Sequence, residues 1–448
     1  MNGRIGLNAP QEADPTGVAD RTTDSPGRLA AGRWPQASAL CYPDRVISPW
    51  IRVFCILAAA DLLIWWVVWQ IVRKSESRWV KIVVHLFFAA MIAGVALLMF
   101  GRARHLDTDG FVPRIATSAF FIWHLLMVPL AFAGILAAAL CLIAKMALGR
   151  WHPKGTSGDG VTRREFFVRL CALTPPALTA SLSLVSEYQL RHFRTRRLTL
   201  TLPSLPAALD GMTIAHVADI HAGRFTNGPV LSEIADATNA LHADMVLFAG
   251  DLINDSLAYL DDGIAVMKKI SGPLALCEGN HDLIEDPDEF RSRVKASGLT
   301  LLVDETATFH IRGVPVQILG MQWGTDSKHL TRIGQPEVVD SAEKLRKLQN
   351  PAAFQILLAH HPHGWDYLRG VPLTIAGHTH GGQLMVTERL GFGPMLFRYW
   401  SGLYTRPGPL HVAGEESLVV SNGTGNWFPL RTRAPAEIIH ITLKRPFA

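Results

Sequence analysis

Ala275-Leu276-Cys277-Glu278-Gly279-Asn280-His281-Asp282 is the stretch around which the chain is organised. An apolar segment stops at Gly279, and side chains able to bind metal or carry protons follow at once. A loop directly after a strand is held by the rigid sheet behind it, and chemistry concentrates in such loops. One tetrad is a weak signal, so its weight depends on whether other segments end the same way. Four do. Residues 213–218 lead into Asp219-Ile220-His221, and 245–249 into Gly250-Asp251. Residues 354–359 lead into His360-His361-Pro362, and 373–376 into Gly377-His378-Thr379-His380. Short apolar runs bounded by turn residues read as buried strands. Residues 231–241 and 341–348 read as helices between them, which makes the segment an alternating α/β domain.

The residue types in these loops form a ligand set. Asp219 and His221 are two apart, so at an extended strand end their side chains leave on one side; His378 and His380 repeat the spacing. Asp251 can bridge two ions through its two oxygens, Asn280 offers a carbonyl oxygen, and His360 an imidazole. His361 competes with His360, which is preferred because it directly follows the apolar run. Mixed oxygen and nitrogen donors without thiolate suit Mn, Fe or Zn. Two such ions held close together activate a bridging water and clamp both oxygens of an in-line displacement at phosphorus. A purely structural role for the whole set is disfavoured, because buried imidazoles and carboxylates without partners are costly.

Asp-x-His, Gly-Asp, Gly-Asn-His-Asp, His and Gly-His-Thr-His, in this order, resemble the calcineurin-like metallophosphoesterase superfamily. The closing Gly381-Gly382-Gln383, the lead-in over residues 205–211, and Gly423-Thr424-Gly425 with Arg431 and Pro435-Ala436-Glu437-Ile438 resemble its branch of membrane-attached bacterial phosphoesterases. The resemblance covers about residues 198–444. It implies a four-layer α/β/β/α sandwich of two mixed sheets flanked by helices. It also implies two divalent ions: one on Asp219, His221 and His380, the other on Asn280, His360 and His378, with Asp251 bridging. A metal-bridging hydroxide would attack a phosphodiester or pyrophosphate, while His281 contacts the phosphoryl group or protonates the leaving oxygen. One departure stands out. The superfamily often has an acid three positions after the Gly-Asp aspartate, where it orients the catalytic histidine. Here Asn254 holds that position and Asp255 follows, so Asp255 is the candidate for that task. Arg224, after the first motif, reads either as a substrate-phosphate contact or as a surface residue.

Outward from this domain, the first part of the chain changes character. Hydrophobic residues make up 49% of the 448, and the excess falls before about residue 190. Residues 1–48 have no periodicity, with five Arg against five acidic residues, and read as a disordered tail. Residues 49–190 read as a membrane region with about four apolar spans, at 53–72, 82–100, 115–144 and 170–185. The third is long enough to tilt or to bend near Pro129; the fourth is short and interrupted by Pro175-Pro176. Basic residues Arg73, Lys74, Arg78 and Lys81 follow the first span, and Arg150, Lys154, Arg163 and Arg164 precede the fourth. Placing both segments in the cytoplasm puts the 198–446 domain on the extracytoplasmic side of the inner membrane. Thr162-Arg163-Arg164-Glu165-Phe166-Phe167 resembles a twin-arginine signal, with the export machinery as the implied partner; ordinary helix anchoring is the competing account. Asp61, His85 and His124 inside the spans call for a buried Asp–His contact between helices, with a haem or ion pathway as the alternative. Arg191, Arg194, Arg196 and Arg197 read as a juxtamembrane linker, with a contact to anionic lipid as the alternative.

Net charge is +5 without a long basic run, which gives nucleic-acid binding little support. The five cysteines lack metal-like spacing. The resulting expectation is a membrane-anchored, metal-dependent phosphoesterase acting on a lipid-linked or envelope phosphoester. The alternatives are a cytoplasmic-face pyrophosphatase of the UDP-diacylglucosamine type and a non-catalytic membrane metal-binding or scaffold protein.

Overall fold

The computed structural model describes residues 49–103, 112–147, 163–323, 335–387, 389–409 and 414–446. The tail expected over 1–48 lies outside the described residues, as do Thr162 and the side chains of Arg163 and Arg164 in the twin-arginine-like run. Sustained apolar composition favours helix in the first part, because a helix satisfies its backbone polar groups without water. The helices are α1 (Pro49–Val72), α2 (Arg78–Ala103), α3 (Arg114–Ile122), α4 (Val128–Ala147) and α5 (Arg163–Gln189). They supply four stretches long and apolar enough to cross a membrane, the third running through α3 and α4. The irregularity expected near Pro129 lies one turn earlier, as a π-helical turn at Trp123–Met127. Proline lacks an N–H and crowds the carbonyl one turn back, and an extra residue in that turn accommodates both defects. The interruption expected in the fourth span is not there: α5 runs through Pro175 and Pro176 for 27 residues.

Polar groups inside this bundle are paired, as burial demands. Asp61 accepts from Trp123 Nε1 at 2.7 Å and meets His124 Nε2 at 3.0 Å, which is the expected contact between spans. His85 Nδ1 accepts from Trp65 Nε1 at 3.0 Å.

The sheets begin at β1 (Arg194–Thr201), ahead of the expected boundary at Leu198. Arg194 and Arg196 therefore belong to a strand and not to a linker. The buried Glu437 carboxylate recruits both guanidinium groups, at 2.9 and 3.0 Å. In order there follow β2 (Thr213–Val217), α6 (Pro229–Asn239), β3 (Met245–Ala249), α7 (Leu260–Lys269), β4 (Leu274–Cys277) and α8 (Pro287–Ala296). Then come β5 (Glu305–Ile311), β6 (Val314–Met321), α9 (Gln335–Leu348), β7 (Phe354–Ala359) and β8 (Leu373–Ala376). The last strands are β9 (Met385–Thr387), β10 (Leu390–Gly391), β11 (Gly402–Pro407), β12 (Glu415–Val420) and β13 (Glu437–Lys444).

One sheet has the order β1-β13-β2-β3-β4, the other β11-β12-β8-β7-β6-β5, and β9 pairs with β10 in a small ribbon. Both large sheets are mixed. Leu247 and Ala249 of β3 meet Ile318, Ile356, Leu358 and Ile375 between the sheets. Val246 and Phe248 alternate to the opposite face, in the cluster shared with α6, α7 and α8. Leu319, Met321 and Leu357 pack against Val338, Ala342 and Leu345 of α9. The result is the four-layer α/β/β/α arrangement. Covering both faces explains why central strands such as β3 and β4 are apolar throughout and do not alternate with polar residues.

The spans and the sheets meet. The Gln189 side chain, at the end of α5, brackets one residue of the sheet domain: Nε2 donates to Arg431 O at 2.7 Å, and Oε1 accepts from Arg431 N at 2.9 Å. Phe428 and Leu430 share an apolar cluster with Trp123 and Met127.

Candidate metal centre

Strands β2, β3 and β4 are parallel neighbours in one sheet, and β7 and β8 in the other. Parallel strands end on the same side, so the five motif loops leave each sheet at one end. The loops are shaped by unusual backbone. Among the described residues ten non-glycines have positive φ, and five of them are candidate ligands: Asp219 (53°), His221 (49°), Asp251 (57°), His378 (72°) and His380 (50°). This region is uncommon for side-chain-bearing residues, and strain of this kind gathers at functional sites. It corrects the extended-strand explanation for the paired ligands, because β2 ends at Val217 and β8 at Ala376. Left-handed backbone aims these side chains. Interloop bonds hold it, from Asp219 N to Gly250 O at 2.9 Å and from His221 N to Asp251 O at 3.0 Å.

All seven candidate ligands come together. His221 Nε2 lies 2.9 Å from His380 Nε2, and His380 Nε2 lies 3.5 Å from Asp219 Oδ1. Asp251 Oδ2 is 3.5 Å from His221 Nε2 and 3.1 Å from His360 Nε2. Asn280 Oδ1 is 2.9 Å from His378 Nδ1. Two donor groups emerge, Asp219–His221–His380 and Asp251–His360–His378; a third, His221–Asp251–His281, joins them. His360 is buried. His361 lies to the side, its Nδ1 accepting from His363 N at 3.1 Å.

The donors fit divalent cations. Asp219 Oδ2 is buried without a hydrogen-bond partner, a costly state for a carboxylate oxygen. Two imidazole nitrogens face each other at hydrogen-bonding distance, and Cys277 faces the intersheet core, which leaves the set without thiolate. Burial pushes Asp219 up to about 7. Burial alone would lower His360, but the Asp251 and Asp219 carboxylates outweigh it and raise it to about 9. Carboxylates that hold a proton on His360 also attract a cation, and ligation requires that proton to leave.

The sequence reading missed two supporting residues. Asp282 is buried, and its carboxylate accepts from Asp251 N (3.0 Å), Ile253 N (3.0 Å) and Gly279 N (2.9 Å), tying two ligand loops together. It stood in the opening motif without a task. Arg431 is buried, with Nη2 2.8 Å from His380 Nδ1, and its guanidinium also donates to Asn422 O, Gly425 O and Asn426 Oδ1. Its place in the C-terminal motif was the available signal. Gly279 allows a close approach: a Cβ there would overlap Asp251 Oδ1 and stand 2.5 Å from Asp251 N.

His281 is oriented differently from expectation. Its main-chain N–H donates to Asp251 Oδ1 at 2.8 Å, and its Nδ1 donates to the main-chain oxygen of Asn254. Asp255 Oδ1 instead accepts from Asn254 Nδ2 at 3.1 Å. The acid expected to orient His281 is thus replaced by a peptide carbonyl, which the neighbouring loop supplies whatever side chain residue 254 carries.

A family model described as calcineurin-like phosphoesterase matches residues 212–382, from just before β2 to the turn after His380, and so includes every candidate ligand. Residues 212–382 form a calcineurin-like phosphoesterase domain. Relatives share it at low identity. An uncharacterized metallophosphoesterase of Bacillus subtilis, YkuE, is 27% identical over 63% of this chain and 98% of its own length. A zebrafish (Danio rerio) transmembrane protein with metallophosphoesterase domain is 26% identical over 55% of this chain and 56% of its own. The Escherichia coli phosphodiesterase YaeI is 24% identical over 51% of this chain and 81% of its own. Beside the phosphoesterase domain lies a cavity of about 510 Å³. Arg114 and Thr117 of α3, Glu187 of α5, Arg191, Arg224 and Asn227 line it, and Arg114 is paired with Glu187 at 3.0 Å.

Proposed function

We propose that the chain is a membrane-anchored, dinuclear metal-dependent phosphoesterase that hydrolyses a phosphodiester or pyrophosphate of a lipid or envelope component. The observation that carries this reading is the pair of donor groups on either side of Asp251. Asp219, His221 and His380 would hold one ion, and Asn280, His360 and His378 the other, with Asp251 shared; the donor types suit Mn, Fe or Zn. When bound, two such ions supply water activation and charge neutralisation at phosphorus. The remaining work belongs to the chain. Asp282 holds the Asp251 and Gly279 loops at one spacing. His281, with Nδ1 committed to Asn254 O, presents Nε2 as the atom that meets a phosphoryl oxygen or passes a proton to the leaving oxygen. Trp427 lies 6.5 Å from the His281 ring and 6.3 Å from the His380 ring, a partly exposed aromatic wall beside both.

The phosphodiesterase name of the E. coli relative supports the substrate class, and the zebrafish relative's name supports a membrane setting, as do the four apolar helices. The basic segments after the first span and before the fourth favour a phosphoesterase domain on the extracytoplasmic side of the inner membrane, with the twin-arginine machinery as export partner. The test is metal content and hydrolysis of bis(p-nitrophenyl) phosphate by the purified full chain with Mn. Activity no greater than that of an Asn280→Ala, His281→Ala control overturns the enzyme reading in favour of a binding or scaffold protein. A C-terminal reporter active only in the cytoplasm overturns the sidedness and favours a cytoplasmic-face pyrophosphatase. Loss of export on Arg163→Lys, Arg164→Lys supports the twin-arginine route; unchanged export refutes it.

A further inference from the structure

Between the metal-ligand turn and β11, the chain carries an apolar projection that the sheets leave uncovered. Val386, Leu390, Phe392, Met395 and Leu396 lie within eleven residues and are each between 46% and 71% exposed. They sit on β9, β10 and the short helical turn Phe392–Leu396. Scattered exposed apolar residues are ordinary; five large ones on one projection mark a surface that something covers.

The root of the projection indicates what covers it. Met385 N donates to Thr432 O at 3.1 Å and to Thr432 Oγ1 at 2.8 Å. The preceding residue, Arg431, has both main-chain groups bonded to Gln189 at the end of α5. Leu384, one residue before β9, packs against the apolar cluster of the spans. At 1.5 Å per residue α5 is about 40 Å long, enough for the hydrocarbon core and part of an interface. Its last residue therefore stands at a bilayer surface, and the projection leaves the protein beside it. Arg389, between β9 and β10, is exposed, and the Arg398 side chain, just past the helical turn, is 69% exposed with its guanidinium 3.8 Å from Asp366; basic residues of this kind accompany the apolar face of interfacial segments.

The other end of the projection is fastened to the metal centre. A Cβ on Gly382 would overlap Gly393, so the two backbones are in contact, and the Phe397 ring meets His378 edge-on at 5.7 Å. We propose that residues 385–387 and 389–396 form a lipid-binding flap. Its five apolar side chains enter the headgroup–acyl boundary of a phospholipid leaflet next to the spans, and so bring a lipid-borne phosphoester to the turn that carries His378 and His380. The proposal rests on the membrane-anchored reading above.

The test places a photo-crosslinking amino acid at Met395, at Leu136 on the exposed face of α4, or at Val339 on α9, in the full chain reconstituted into phosphatidylethanolamine/phosphatidylglycerol vesicles. Lipid adducts at Met395 and Leu136, each about fivefold or more above Val339, are expected for an inserted flap. Labelling at Leu136 with Met395 at the Val339 level overturns the flap and leaves membrane anchoring standing. No adduct at Leu136 overturns the anchoring, and the flap with it. A Met395 adduct to a second copy of the chain overturns the lipid assignment in favour of self-association. In the same vesicles, Met395→Asp with Leu396→Asp should lower hydrolysis of an embedded phosphodiester about tenfold or more, with bis(p-nitrophenyl) phosphate turnover within about twofold. Equal loss on both substrates overturns the lipid-presenting role.

Discussion

Replacing Asp255 by alanine separates two accounts of how His281 is held. The carboxylate makes one contact with its neighbour, accepting from Asn254 Nδ2 at 3.1 Å on a half-buried loop. A bond to a carboxylate on a half-exposed loop is worth about 1.5 kcal/mol net, and this one does not reach His281, so its loss should lower kcat by no more than about tenfold. His281 keeps its partner, because the oxygen that accepts from Nδ1 is the main-chain oxygen of Asn254. Asn254→Ala leaves that oxygen in place too and should be equally mild. His281→Ala removes the proton carrier itself and should cost about 10²–10⁴. The assay is steady-state hydrolysis of bis(p-nitrophenyl) phosphate by the full chain with Mn, for the single variants and for Asp255→Ala combined with His281→Ala. A loss on Asp255→Ala of about a hundredfold or more, with no further loss in the double variant, would show that the two act as a unit and refute the carbonyl account.

Three further outcomes follow from other parts of the site and core. Asp282→Asn sets an amide N–H₂ against at least one of the three N–H groups the carboxylate now accepts from; it should cost about 2–4 kcal/mol and weaken metal binding, read by thermal unfolding and metal titration. Unchanged stability would sink the loop-tying role. Gly279→Ala keeps every ligand yet forces Asp251 aside; metal stoichiometry by elemental analysis should fall, and a full complement would count against the close packing. His216 in β2 is buried with both ring nitrogens unpartnered, and burial, with Arg196 nearby, pulls its pKa down to about 3. Below about pH 6.5 the unfolded chain takes up a proton that the folded chain refuses until about pH 3, so stability falls with pH through that window, by about 2 kcal/mol at pH 5. His216→Leu should flatten that part of the decline in urea unfolding between pH 7 and 5; an equal decline in both proteins refutes it.

The seven candidate ligands and their order were legible in the sequence because ligand chemistry resides in residue type. The strands that carry them were legible because strands buried on both faces read as predominantly apolar runs. The apolar helices were legible for a similar reason: length and composition alone distinguish them. Helix α5 shows the limit of such reading. Pro175-Pro176 marked an interruption by local rule, yet the helix continues through both. Arg194 and Arg196 looked like a linker because their partner, Glu437, lies far along the chain.

At the centre the division is sharper. Asn280 and His281 announced themselves by type and position, but three things depended on tertiary structure. The left-handed backbone that aims Asp219, His221, Asp251, His378 and His380 is held by bonds between loops; Asp and His tolerate it better than most residues, but residue type alone does not call for it. The fastening of those loops by Asp282 requires three N–H groups from two separate segments. The partner of His281 is a peptide oxygen, and every residue has one; sequence can say which side chain stands near a position, but only the folded chain decides which backbone carbonyl faces it.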